Sequence, residues 1–245
     1  MKKTMILIIA IITFIKIEIS GAADAKVKYG MQTQKIGEIT EIKIPKIKQS
    51  PIIDGKLDDK CWKNYTGLEF GFLSGNQETF PTEKTKTFLV YDNENLYISF
   101  KCFDSQMDKL ENNVTQRDGK VWGDDYIEIF LDTKHNHKTA YQIMINPNGT
   151  IFDNFCNIEL FEENISCDLD FQVATSIEKD FWIVEVKIPF KNIGIEKPFK
   201  NICGINLNRG YQDKGNGFED TSLFPTFTES SFIPDKFGDL ILEIK

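Results

Sequence analysis

Val121-Trp122-Gly123-Asp124-Asp125-Tyr126-Ile127-Glu128-Ile129-Phe130-Leu131-Asp132-Thr133 decides the fold class. It opens on an aromatic residue, a glycine and two carboxylates, then alternates with a period of two. Ile127, Ile129 and Leu131 share one side of a strand; Tyr126, Glu128 and Phe130 share the other. The first side is core. The second sets a carboxylate between two aromatic rings, with Trp122 at the strand mouth. Aromatic planes beside hydrogen-bond acceptors suit a ligand with apolar ring faces and hydroxyl edges, as a sugar has. The competing reading is a strand buried on both faces, with Glu128 paired to a basic residue.

Outward from this strand, alternation and turn residues repeat. Ile39–Ile47 predicts a first strand, Leu57–Trp62 one helical turn, and Lys84–Tyr91 with Leu96–Phe103 a hairpin across Asp92-Asn93-Glu94-Asn95. Tyr141–Asn146 and Thr150–Phe155 flank Pro147-Asn148-Gly149. Phe171–Ile177 and Trp182–Ile188 flank Glu178-Lys179-Asp180, and Gly204–Arg209 and Asp239–Ile244 complete the set. Many short strands without an amphipathic helix of useful length predict an all-β, antiparallel β-sandwich of jelly-roll or immunoglobulin-like type. Trp62 and Trp182 sit among apolar residues and are expected in the core.

The start of the chain predicts the compartment. Lys2 and Lys3 precede an apolar run from Met5 to Ile15, and small residues around Ala22-Ala23-Asp24-Ala25 supply a cleavage site. This is the pattern of a secretory signal peptide over residues 1–25, followed by an arm and lead-in strand over 26–47 and a binding domain over 48–245. Lys16 and Glu18 interrupt the run before the ~20 apolar residues of a membrane span. No other segment is expected to cross a membrane. The formal net charge is −8 and the pI about 5.0, which disfavours nucleic acid and anionic lipid as partners. Five cysteines, Cys61, Cys102, Cys156, Cys167 and Cys203, leave at least one unpaired within the chain. Cys156 and Cys167 flank one loop and are a candidate bridge. The lack of Cys-x-x-Cys argues against structural zinc.

Neutral amides cluster on the open sides of the predicted strands: Gln142 and Asn146 beside Met144, and Asn206 with Asn208. If the strands pair, these amides and Glu128 share one face. Amides both donate and accept, as a sugar's hydroxyls require. The alternative is an ordinary exposed sheet face. Catalysis is not expected. Asp125 and Glu128 are the obvious carboxylate pair for glycoside hydrolysis, but alternation sends them to opposite faces. His135 and His137 fall in a predicted turn.

Taken together, Ile53-Asp54-Gly55-Lys56-Leu57-Asp58 with Trp62, Val90-Tyr91-Asp92, Asn95–Ile98, Trp122–Asp132, Gln142–Asn146, Trp182–Pro189 and Phe237–Leu240 resemble, in order and spacing, a family-9 carbohydrate-binding module. This is a DOMON-like β-sandwich found on xylanases, and the resemblance covers roughly residues 48–245. It implies a secreted, non-catalytic carbohydrate-binding protein acting alone or beside glycoside hydrolases. It also implies that Trp122 is one of two tryptophans sandwiching a terminal sugar, with Phe232 in place of the second. Glu128 and Asn146 would bind hydroxyls, Asn208 stands where a glutamine is expected, and Met144 where an arginine is. Similar modules hold structural calcium, for which Asp54, Asp58 and Asp104 are the candidate ligands. Two other readings remain: a haem-binding sandwich using Met144 and a histidine, and an envelope protein with a decayed pocket.

Overall fold

The structure, a computed structural model, describes residues 41–65, 67–70, 72–73, 81–157, 159–160, 162–196, 202–213, 217–224 and 232–242. The expected signal peptide and most of the arm lie outside these residues. Strands β1 (Glu41–Ile44), β2 (Leu68–Glu69), β3 (Phe72–Leu73), β4 (Thr85–Tyr91) and β5 (Asn95–Phe103) come first, with helix α1 (Lys60–Lys63) after β1. Next come β6 (Tyr126–Asp132), β7 (Thr139–Ile145), β8 (Ile151–Asn157), β9 (Glu162–Asn164), β10 (Gln172–Ile177) and β11 (Phe181–Pro189). β12 (Ile202–Asp213), β13 (Gly217–Ser222) and β14 (Gly238–Leu242) close the chain.

The strands make two sheets packed face to face. Sheet I runs β1-β14-β12-β6-β7-β8-β9, with β13 and β3 continuing beside the far half of β12; sheet II runs β10-β11-β5-β4-β2. Every pairing between strands is antiparallel except β1 with β14. The all-β sandwich therefore holds, with one parallel edge that the alternation could not reveal. Ile42 and Ile44 of β1 are buried in the central core, so the lead-in strand is part of the sandwich.

The core follows from the two-residue period. Ile127, Ile129 and Leu131 of β6 face inward with Ile143 and Ile145 of β7 and Ile205 and Leu207 of β12. Against them stand Leu96, Ile98, Phe100 and Cys102 of β5 and Trp182, Val184 and Val186 of β11. Each fully buried side chain of this size contributes about 1.5–3 kcal/mol relative to exposure. Arg209 also points inward. It is 1% exposed, and its Nη1 donates to Phe103 O at 2.8 Å and Lys84 O at 3.2 Å, tying β12 to the opposite sheet.

Turn chemistry sets the hairpins. Asp92 Oδ1 accepts the N–H groups of Glu94 (2.7 Å) and Asn95 (2.8 Å), closing the β4–β5 turn through its side chain. Gly149 takes a φ of 79° between β7 and β8, a conformation glycine adopts without steric cost. The outer face of sheet II is covered by residues 53–65. Cys61 and Trp62 of α1 pack on Val90 and Tyr97. Below them Glu185, wholly buried, accepts Trp62 Nε1 at 2.7 Å and the N–H groups of Asp54, Gly55 and Lys56 at 3.0, 2.8 and 3.2 Å. Burial raises the pKa of Glu185 even though these bonds pull it down.

The expected Cys156–Cys167 bridge does not form. Cys156 and Cys167 are free thiols. Cys156 pairs with Ala140 on the outer side of sheet I, whereas Cys167 packs against the inner core, so the sheet separates them. Burial pushes the Cys156 thiol up to about 12, which keeps it protonated and unreactive. The proposed calcium ligands do not converge either. Asp54 lies over Glu185, which pairs with Ser99, and Asp104 follows the end of β5 five residues beyond Ser99. At strand rise that is roughly 17 Å, far beyond one coordination shell. Asp58 lies with Asp54 in the exposed loop before α1. Among the described residues no group of three or more His, Cys, Asp and Glu is placed to hold a metal ion.

Candidate functional site

The outer face of sheet I is built by the other half of the alternation. Register places Asn208, Glu128, Met144 and Phe152 side by side, with Ser222 beyond Asn208. The next row is Asn206, Phe130, Gln142 and Asn154. On the other side of the Glu128 row lie Asp220, Gly210 and Tyr126.

Glu128 is the centre of this face. Its Oε1 accepts Gln142 Nε2 at 2.6 Å and its Oε2 accepts Asn208 Nδ2 at 2.7 Å. It is only 2% exposed. Both faces of β6 are thus buried, as the competing reading had it, but these partners are amides rather than a base. The network continues outward: Ser222 Oγ lies within hydrogen-bond reach of both Asn208 Oδ1 and Asn206 Oδ1. Asn206 Oδ1 also accepts Phe224 N–H at 3.2 Å. Asn206 Nδ2 and Asn154 Oδ1 are shielded from solvent and have no partner. Glu128, Gln142, Asn206 and Asn208 therefore do share one face. All but the half-buried Gln142 are sealed from water in this state.

Asn146 is in a different position. Its Nδ2 donates to Asp124 Oδ2 and Val114 O, both at 2.8 Å, and its Oδ1 accepts Thr150 N–H at 2.8 Å and Asn148 N–H at 3.1 Å. Every donor and acceptor of the amide is engaged, so none is left for a ligand. Asp124 takes the N–H groups of Asn113 and Val114. Asn146 and Asp124 thus pin the 112–114 loop and the short 3₁₀ turn Val121–Gly123 that carries Trp122. Asp125 points the other way and anchors the N–H groups of Glu111 and Gln212, so no catalytic pair forms with Glu128.

Two aromatic groups flank the polar floor. At one end Trp122, 46% exposed, meets the Phe152 ring edge-on at 5.4 Å. Tyr126 stacks on the exposed Phe218 at 6.2 Å. At the other end Phe232 packs on Phe130 at 5.4 Å, and Phe237 stacks on Phe130 at the same distance. Met144, where an arginine was expected, fills an apolar gap with Val121, Tyr126 and Phe152. It sits seven residues along the chain from His137, roughly 23 Å at strand rise. His135 and His137 occupy the β6–β7 turn, where His135 Nε2 meets Asp239 Oδ1 at 2.8 Å. The two therefore cannot ligate one haem with Met144.

The sequence reading missed β13. Phe218, Asp220 and Ser222 alternate there behind Asn216-Gly217, a dipeptide that commonly marks a hairpin. Tyr126 lies over Gly210, where any side chain would overlap its ring. Burial raises the Tyr126 pKa far beyond its ordinary value, with help from the charges of Glu128 and Asp220. Burial, then Glu128, pushes Asp220 well above the usual carboxylate range. A separate shallow groove, lined by Ile42, Tyr65, Leu68, Phe88 and neighbours, opens where β1 approaches β4. It carries none of this polar network.

The family described as carbohydrate family 9 binding domain-like matches residues 53–245. This chain belongs to that family. Among curated proteins, the module is similar to endo-1,4-beta-xylanase A of Thermoanaerobacterium saccharolyticum and exoglucanase XynX of Acetivibrio thermocellus. Each is 26% identical over 71% of this chain. The match spans only 15% and 16% of those proteins' lengths. Among solved structures, the module resembles a family 9 carbohydrate-binding module of Caldicellulosiruptor kristjanssonii in complex with glucose, with a TM-score of 0.62 and 20% identity. That alignment covers 84% of this chain and 96% of the other. A putative carbohydrate-binding protein of Bacteroides uniformis aligns with a TM-score of 0.64 and 14% identity, covering 84% of this chain and 100% of the other. At these identities the solved structures establish the sandwich fold.

Proposed function

We propose that this family 9 module is a secreted, non-catalytic protein that binds carbohydrate through the outer face of sheet I. The observation that carries this reading is Glu128, held between Gln142 and Asn208 on a face flanked by Trp122 and Phe232. Fixed acceptors and amides between aromatic rings match the hydroxyl edges and C–H faces of a pyranose. The family's membership supports it, as does the complex of the Caldicellulosiruptor module with cellotriose. Secretion rests on the N-terminal sequence and on the xylanases among the relatives. Calorimetric titration with glucose, cellotriose and xylan oligomers tests the binding.

The burial of Glu128, Asn206 and Asn208 favours a second reading, an envelope protein whose pocket has closed. No heat with any glycan on a broad array would select it.

A further inference from the structure

The polar floor has a sign. None of the residues that register places on the outer face of β6, β7, β8, β12 and β13 is Lys or Arg: Tyr126, Glu128, Phe130 and Asp132; Ala140, Gln142 and Met144; Phe152, Asn154 and Cys156; Gly204, Asn206, Asn208 and Gly210; Asp220 and Ser222. Arg209, between Asn208 and Gly210 on β12, points through the sheet into the core. Two carboxyl groups share this part of the face: register sets Asp220 beside Gly210 and Glu128 beside Asn208, two residues along β12. The missing side chain of Gly210 lets the Tyr126 ring lie across β12 towards β13, where Asp220 stands.

A second observation points to a ligand. Asp220 Oδ1 is shielded from solvent and has no hydrogen-bond partner. Asn206 Nδ2 and Asn154 Oδ1 are also unmatched, but register sets them four residues along the strands from the Asp220 row, beyond the reach of the same sugar ring. An unpaired buried acceptor is costly, so a molecule bringing a hydrogen-bond donor to Asp220 gains here. Its donor toward Asp220 gains most when it is positively charged, because that charge stabilises the ionised carboxylate that burial beside Glu128 disfavours.

Building on the carbohydrate reading above, we propose that this site selects an amino sugar, a pyranose whose ammonium group sits against Asp220 and Glu128 while its hydroxyls meet the amides. Uronic acids are disfavoured because their carboxylate approaches two acidic groups. Asp220 is then the specificity-determining residue, and β13 the element that supplies it.

The test is calorimetric titration of the full chain with glucosamine, glucose and glucuronate at low salt and in about 0.5 M NaCl, for wild type and Asp220→Asn. The expected result is glucosamine binding at least about tenfold tighter than glucose, glucuronate weaker than glucose, and a glucosamine preference that shrinks at high salt. Asp220→Asn collapses the glucosamine-to-glucose ratio to below about threefold. Glucose binding with no preference for glucosamine overturns this inference and leaves the carbohydrate reading standing. A preference that persists in Asp220→Asn or in high salt overturns it too. Should Asp220→Asn fail to fold, the wild-type salt series decides alone. If none of the three sugars nor any glycan binds, both the function and its selectivity fall.

Discussion

Replacing Glu185 with alanine tests how the 53–65 segment is held. The carboxylate accepts one indole N–H and three backbone N–H groups between 2.7 and 3.2 Å. Asp54 and Lys56 are exposed, so water can reach their N–H groups after the change. Gly55 and Trp62 are buried, and their donors are left without partners. Each buried orphan donor costs about 1–3 kcal/mol, so Glu185→Ala should destabilise by about 3–5 kcal/mol. Glu185→Gln keeps an acceptor of the same shape and removes a charge that burial opposes, so its cost should stay below about 2 kcal/mol. Trp62→Phe removes one of the four donors and should fall between the two. Urea unfolding of the three variants gives the order. An alanine variant within about 1 kcal/mol of wild type would refute the idea that Glu185 clamps this segment, and so would a glutamine variant as damaged as the alanine one.

Other expectations concern the site and its surroundings. Gly210→Ala drives a methyl group into the Tyr126 ring; overpacking of about 1–3 kcal/mol should appear in melts, together with weakened sugar binding. The raised Asp220 pKa implies a pH signature. Stability from its protonated form is complete below the unfolded carboxylate value of about 3.9 and is lost as pH rises through the folded value. The melting temperature of Asp220→Asn should therefore gain on wild type as pH increases, and a constant gap would contradict this. Because Asp54, Asp58 and Asp104 do not converge, Asp104→Asn should leave any calcium dependence of the melting midpoint unchanged; a chelator-sensitive midpoint that this change abolishes would overturn that geometry. Mass spectrometry of exported protein should find an N-terminus near Asp24 or Lys26, and an intact Met1 would refute cleavage.

The sandwich was legible because burial imposes a period of two. Ile127, Ile129 and Leu131 announced the inner face of β6, and Trp182, Val184 and Val186 that of β11. Turn residues such as Asp92 and Gly149 marked the hairpins. The parallel pairing of β1 with β14 was not legible, since it joins distant segments and depends on where both ends arrive. At the site, strand parity brought Glu128, Gln142, Asn206 and Asn208 to one face. Parity cannot report hydrogen-bond capacity, so Asn146 looked like a binding group although the turn consumes all of it. The role of Gly210 was invisible for a similar reason, because it depends on a ring from the neighbouring strand. Asp220 and Phe218 follow Asn216-Gly217, a hairpin dipeptide, but Phe218-Glu219-Asp220-Thr221-Ser222 lacks the apolar alternation that marks the other strands.

If the outer face of sheet I is the sugar site, Trp122 is its exposed platform. Calorimetric titration of Trp122→Ala with the best-binding glycan, paired with a thermal melt, tests it most directly. Trp122→Ala should lose measurable binding with a stability change within about 0.5 kcal/mol, because Trp122 is 46% exposed and substitutions of exposed residues usually cost no more. Wild-type affinity in Trp122→Ala would contradict this and place the site elsewhere on the molecule.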